Sequence, residues 1–344
     1  MNHKLRQFAI SNRSILILIN KLFRLKNKQT FHEIINKNKN LPIFDYKTLI
    51  TKIPYYPTDL VIDNNLYGLS FCLKKYANLD INKSLDASIE HGLFIGNLVR
   101  KDDIIYPVKS IITYGNRRIT HLKNSGINKS IIPIGPYIHY ATPLLSEEEY
   151  RKLKEELGKV LLVFPSHGII NVNTKYDIDN FIADIESIKS NYDTVLVSLY
   201  WTDITNESLV KKYIDKGYLI VTSGHRYDLN FLSRQRSIIE LADFTMSNSV
   251  GTHIGYCIYL GKPHYVFQQE IGYSYKNKSS EKHFLAARSK ENYRSYCDEC
   301  REILSYFNTK DSIITYSQKQ IVDEFWGTSW IRTPLELSQL LPIA

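Results

Sequence analysis

The sequence predicts an α/β protein: two Rossmann-like units facing each other across a cleft, the first of them shortened and preceded by a basic helical segment. Three observations carry this. From residue 159 onward, short apolar runs alternate with helical patterns, the order expected of a parallel, doubly wound sheet. A smaller set of the same kind lies between residues 84 and 134, and Thr142-Pro143 interrupts the two. The expected divisions are a basic helical segment at 1–40, an N-terminal unit at 41–142, a C-terminal unit at 143–317 and terminal helices at 318–344.

In the first unit, residues 41–53 and 60–62 are short apolar pieces broken by Pro54, Pro57 and Asn64-Asn65. Tyr67–Tyr76 has helical spacing, and Ser84–Ile89 alternates like a strand. Val108–Thr113 is a second strand, Asn116–Asn124 a helix stopped at Ser125-Gly126, and Ser130–Ile134 a third strand closed by Gly135-Pro136. Ser146 and Glu149 form a capping box for a helix to Leu157. Lys159–Phe164 then begins the alternation, with helices at 178–191, 206–216 and 229–241 and strands at 194–199, 218–222 and 243–246. Residues 275–300 are polar, a loop followed by helix. Helices end the chain at 318–326 and 334–341.

The chain of 344 residues is 43% hydrophobic and 23% charged, as soluble globular proteins are. Its net charge of +9 is concentrated at one end. Residues 1–40 hold nine Lys/Arg against Glu33 alone, which leaves the remainder at +1. A nearly neutral body argues against nucleic acid as a partner. The basic end carries Ile15–Ile19, Leu22, Phe23 and Leu25, a mixture suited to the surface of an anionic membrane or to packing on the body with a solvated basic face. The apolar run is too short to span a bilayer, and no small-residue cleavage site follows it. Cys72 and Cys257 sit in apolar helical patterns, while Cys297 and Cys300 form a lone CxxC without a second ligand pair. This usage fits a reduced, cytoplasmic compartment, and a membrane-bound basic end would place the protein peripherally on the inner face of the cytoplasmic membrane.

The most informative stretch is Ala242–Glu270. A half-apolar strand runs into Ser247, Asn248, Ser249, Gly251 and Thr252, then a helix with Gly255 on its packing face, a stop at Gly261-Lys262-Pro263 and another strand. A loop of small residues before a helix N-terminus is where a phosphate group sits on such sheets. A plain crossover with a serviceable cap gives the same pattern without a ligand. Other strand ends carry Glu90-His91-Gly92, Ser166-His167-Gly168, Tyr200-Trp201, and Gly224-His225-Arg226. His91 is the candidate general base, with Glu90 the carboxylate that would hold its tautomer. Ser166, His167, His225 and Arg226 are candidates for donor contacts with Ser247–Thr252, and Arg117, Tyr137 and His139 for acceptor contacts. Asp177-Ile178-Asp179 opens a helix, where capping explains it, so no metal and no cofactor are expected. No GxxxxGK[ST], strand-linked GxGxxG or GxSxG is present.

These segments resemble the GT-B glycosyltransferases of bacterial surface-polysaccharide biosynthesis, and more loosely sugar-nucleotide 2-epimerases and CDP-glycerol glycerophosphotransferases. Glu90-His91-Gly92 is similar to the His-Gly at the end of an N-domain strand in such transferases. Residues 111–136 resemble their last N-domain strand–helix–strand, and FPSHG, SGHRYD and residues 242–267 their donor site. The likeness spans residues 84–270. A glycine-rich first turn is absent before residue 80, and Lys262 stands eight residues before Glu270, where retaining members carry an acid. The resemblance therefore implies an inverting, metal-independent transfer of sugar from a nucleotide-sugar donor to a glycan or lipid-linked acceptor, in capsule or lipopolysaccharide synthesis. A CDP-glycerol or ribitol-type phosphotransferase and a non-catalytic glycan- or nucleotide-binding protein are the competing expectations.

Overall fold

The structure is a computed structural model describing residues 3–169, 171–287 and 289–343. It opens with helices α1 (His3–Ser11) and α2 (Arg13–Lys39). The α2 residues Leu16, Asn20, Phe31, Ile35 and Asn38 are buried, a stripe at helical spacing laid on the body. Asn12 caps α2 by accepting from the Ile15 N–H. Helices α3 (Tyr46–Leu49) and α4 (Leu69–Tyr76) precede the first sheet.

That sheet is β1 (Ala87–Ile89), β2 (Ser110–Thr113) and β3 (Ser130–Pro133), all parallel, with the short helix α5 (Lys101–Ile105) and α6 (Asn116–Asn124) in the crossovers. Helix α7 (Glu147–Leu157) begins at the Ser146–Glu149 capping box. The second sheet follows, with β4 (Val160–Phe164) fully buried at its centre. After β4 the chain makes a strand that the sequence reading missed, β5 (Val172–Lys175). The alternation then continues through α8 (Ile178–Lys189), β6 (Thr194–Ser198), α9 (Glu207–Ile214), β7 (Leu219–Val221), α10 (Phe231–Leu241), β8 (Phe244–Ser247), α11 (Thr252–Tyr259) and β9 (His264–Val266). These strands pair in the order β7-β6-β4-β8-β9, all parallel. Both sheets are thus Rossmann-like, as the alternation predicts.

Residues 275–300 differ from the expected loop and helix. Strand β10 (Gly272–Tyr275) pairs antiparallel with β5, and helices α12 (Lys278–Ala287) and α13 (Lys290–Leu304) follow. The chain ends in α14 (Tyr316–Trp326) and α15 (Pro334–Leu340), both opened by capping boxes.

The terminal segment returns to the first sheet: Asp86 N–H donates to Pro342 C=O at 2.6 Å, and Leu85 bridges Ile343. Trp326 is fully buried and its indole N–H donates to Thr252 C=O at 3.0 Å. One buried cluster runs without a break from Ile89 and Ile112 in the first sheet through Ile254 and Trp326 to Leu162, Leu196 and Val221 in the second. The two sheets therefore share a core.

Candidate active site

The strand order of the second sheet reverses at β4 and β8, since the chain builds outward from β4 to β7 and then returns to lay β8 on the other side. The crevice beyond the carboxyl ends of two such strands is where ligands bind in open parallel sheets. A cavity of about 410 Å³ lies there. Phe164, Pro165, Ser166 and His167 line it after β4, Tyr200 after β6, Thr222 and Ser223 after β7, and Ser249–His253 after β8. The first sheet contributes His91 and Gly92 from the end of β1.

The loop after β8 is shaped by its buried polar groups. Ser247 Oγ donates to Ser249 C=O at 3.0 Å, and Asn248 Oδ1 accepts the Ser166 N–H at 2.6 Å, which ties the β8 loop to the β4 loop. Gly251 precedes α11 without any side-chain cap, so the positive end of that helix is left to the cavity rim. Thr252 Oγ1 accepts the Leu93 N–H at 3.0 Å, bringing the loop after β1 against the first turn of α11. His253 stacks on Phe164 with ring centroids 5.0 Å apart, and its Nε2 has no hydrogen-bond partner among the described residues. Burial, then the charge of His167, pushes the His253 imidazole down to about 3.

Two histidines of the cavity are held in opposite tautomers. Arg100 Nη1 lies 3.2 Å from His91 Nδ1. A guanidinium only donates, so Nδ1 accepts and the neutral ring carries its proton on Nε2. Burial, then Arg100, lowers this imidazole to about 4. His167 Nδ1 lies 2.8 Å from the Gly168 carbonyl, which only accepts, so the proton there is on Nδ1, and the neutral form of this ring has its lone pair on Nε2. The ring of His167 lies against Tyr200 at 4.5 Å, and Asp203 beside it accepts the Gly168 N–H at 3.4 Å. Burial raises the Asp203 carboxyl above its usual range, partly offset by His167.

Several expected site residues stand elsewhere. Glu90 is fully buried and takes Arg118 in a two-pronged ion pair (2.6 and 2.9 Å) with Thr113 Oγ1 at 2.6 Å. The carboxylate facing His91 is Asp63 instead, 4.0 Å from Nδ1 and 2.8 Å from Arg100. Of the expected acceptor residues, Arg117 pairs with Glu302 of α13 and Glu324 of α14 (2.9 and 3.2 Å). Tyr137 is fully buried against Tyr114, and His139 lies between the hydroxyls of Tyr76 and Tyr259 (3.0 and 2.5 Å). None of these three lines the cavity. Of the expected donor residues, Ser166, His167, Ser249, Gly251 and Thr252 line it, while Ser247 and Asn248 brace its loop from below. His225 packs on Trp201 at 4.5 Å behind the wall, lowered to about 4 by burial and then by Arg226. Arg226 lies over Tyr227 at 5.2 Å, its Nε buried and unpaired among the described residues, and its charge also lowers His91.

Sequence reasoning missed Asp63, Arg100, Tyr67, Gln235, Thr174 and Tyr273, the last four of which line the cavity. Asp63 and Arg100 lie in stretches without periodicity, so nothing local marks them. The alternation of Val172-Asn173-Thr174-Lys175 and of Gly272-Tyr273-Ser274-Tyr275 was the available signal for the other strand pair. Among the described residues no three His, Cys, Asp or Glu side chains converge as a metal site would need. Asp177 caps α8 and Asp179 pairs with Lys212 at 2.7 Å.

No protein-family model matches the chain, and no curated protein matches it. Among solved structures it is similar to the UDP-GlcNAc 2-epimerase of Neisseria meningitidis bound to UDP-GlcNAc, at 12% identity over 78% of this chain and 70% of that one, with a TM-score of 0.34. The Medicago truncatula protein UGT71G1, complexed with UDP-glucose, matches at 14% identity over 79% and 67%, with a TM-score of 0.32. The wall teichoic acid polymerase TagF matches at 12% identity over 70% and 66%, with a TM-score of 0.33. Likeness of this depth assigns neither substrate nor reaction.

Proposed function

We propose that the protein transfers a sugar from a nucleotide-sugar donor to a glycan or lipid-linked hydroxyl, with inversion and without a metal. The observation that carries this reading is the cavity at the switch point of the second sheet, bounded by an uncapped helix N-terminus and by histidines from both sheets. The diphosphate would rest on Ser249–Thr252, its charge met by the end of α11. A bacterial surface polysaccharide is the product class that the sequence resemblance suggests.

The tautomers divide the proton chemistry between the two histidines. His167, with a free Nε2 lone pair, is the proposed acceptor of the proton from the attacking hydroxyl. His91 would present its Nε2–H next to the anion seat, where it stabilises the negative charge that grows on the leaving diphosphate. This reverses the expectation drawn from the sequence, which made His91 the base. For His91 to act so, Arg100 would have to release Nδ1 and let it donate to Asp63.

Melting curves with UDP, GDP, CMP, CDP and dTDP test the donor seat. One of them at a hundred times its Kd stabilises the fold by about 2.7 kcal/mol, a rise of several degrees. No shift with any of the five sinks the reading. With the donor known, His167→Ala is expected to lower kcat by a factor of about 10²–10⁴. Full activity in that variant would return the base to His91.

A further inference from the structure

Helix α2 has two apolar faces, and the body uses only one. Leu16, Asn20, Arg24, Asn27, Phe31, Ile35 and Asn38 follow one another at spacings of three or four and hold the inner face. Asn20 donates to Asp59 and Leu60 carbonyls (3.2 and 3.0 Å), Arg24 to Pro57 (2.7 Å) and Asn27 to Tyr55 (2.8 Å). On the opposite face, Leu18, Leu22 and Leu25 are again spaced by four and three, and they stand 57%, 58% and 71% exposed. Helix geometry, at 100° per residue, puts Lys21 and Lys28 along one edge of this leucine stripe and Lys26 along the other. All three lysines are exposed, and none forms an ion pair within 4 Å among the described residues. Leu5 and Phe8 of α1 are exposed as well, at 59% and 61%, and α1 is fastened to the body by the Arg6–Asp102 pair at 2.6 Å.

A row of leucines edged on both sides by unpaired lysines suits a flat, anionic, hydrocarbon-backed surface. The leucines enter below the headgroups, while lysine stems reach up and leave their ammonium groups among the phosphates. We infer that the outer face of α2, with Leu5 and Phe8 of α1, seats the protein on an anionic lipid bilayer, with α2 lying in the plane of the interface. Charge complementarity selects this occupant. The acids of the chain lie almost wholly outside residues 1–40, so a second copy docked face to face through α2 would set one cationic stripe against another. No helix among the described residues is long and apolar enough to cross a membrane, so the contact is peripheral. The inference stands on α1 and α2 and is independent of what the cavity binds.

Vesicle flotation of the full chain is the test, using phosphatidylcholine vesicles with and without 30% phosphatidylglycerol (roughly a plasma-membrane charge density). The protein is expected to bind the anionic vesicles at least ~10-fold better than the neutral ones, with the preference shrinking as salt rises. The variant Leu18→Ser, Leu22→Ser, Leu25→Ser is expected to lose at least ~10-fold of that binding while keeping the melting temperature and any nucleotide-induced shift, because these side chains touch no core. Equal binding by the variant, or no binding to either vesicle, overturns the inference. So does a wild-type dimer in gel filtration that the variant breaks, which would assign the stripe to a second copy. None of these outcomes bears on the nucleotide seat, which is measured without lipid.

Discussion

Arg118 holds its guanidinium at 1% exposure against the fully buried Glu90, and Thr113 completes the carboxylate's bonds. Removing one member of such a pair leaves a bare charge in the core, so Arg118→Met is expected to destabilise the protein by about 3–5 kcal/mol in urea denaturation. The double variant Arg118→Met, Glu90→Gln should recover much of that loss. A cost below about 1 kcal/mol for the single variant would mean that water reaches the pair. The same pair shows what the sequence could convey at this scale. Glu90-His91-Gly92 was legible as a strand end entering the cleft, and His91 does line the cavity. Which carboxylate faces the imidazole was not legible. That depends on Asp63 and Arg100, 28 and 9 residues away and unmarked by periodicity. Tautomers are set by partners of this kind.

At the scale of elements, α11 and α14 meet through a glycine. A methyl at Gly255 would stand 2.2 Å from the Trp326 ring, and the ring, fully buried and bonded to Thr252 C=O, has nowhere to move. Gly255→Ala is therefore expected to cost about 1–3 kcal/mol by forcing α14 outward, measured as a lower urea midpoint, and to weaken the proposed donor seat because Thr252 sits at the other end of that contact. A variant with unchanged stability would show that α14 is not pinned by the indole. Gly255 was readable beforehand as a close-packing position, although its partner some seventy residues away was not. The parallel strands were readable because continuous buried apolar runs such as Val160–Phe164 carry a dense signal. The β5–β10 ribbon carried only a four-residue alternation on each side, too short to stand out until the two strands pair in three dimensions.

For the whole molecule, buried histidines govern the response to acid. Burial holds His91 and His225 at about 4 and His253 at about 3, and it also lowers His264 and His139. In the unfolded chain these rings titrate near pH 6.5. Above that value both states leave them neutral, and their contribution to stability is complete. As pH falls from about 6.5 toward 4, the unfolded chain takes up protons that the fold refuses, and stability is lost by up to about 1.4 kcal/mol per pH unit for each ring. Urea midpoints at pH 7.5, 6 and 5 should therefore fall steadily below pH 6.5, and His225→Gln should flatten the slope. An unchanged midpoint down to pH 5 would contradict the burial of these rings. At this scale the sequence conveyed two sheets and the cleft between their carboxyl edges. It conveyed the terminal helices as elements but not that they cross back to join the sheets, since the partners of α14 and α15 are α6, α11 and α4, far away in the chain.

The shared core has a consequence for traffic through the site. Two lobes joined by a strand of chain can swing apart to admit a substrate. Here Ile89, Trp326 and Leu162 belong to one buried cluster, and Tyr114 and Tyr256 are joined by a 3.1 Å hydrogen bond within it. Swinging the sheets apart would wet that seam, at a cost comparable to unfolding part of the protein. The β5–β10 ribbon also borders the cavity, through Thr174 and Tyr273, and it lies outside both large sheets. The ribbon can therefore shift without opening that seam, which the two sheets cannot.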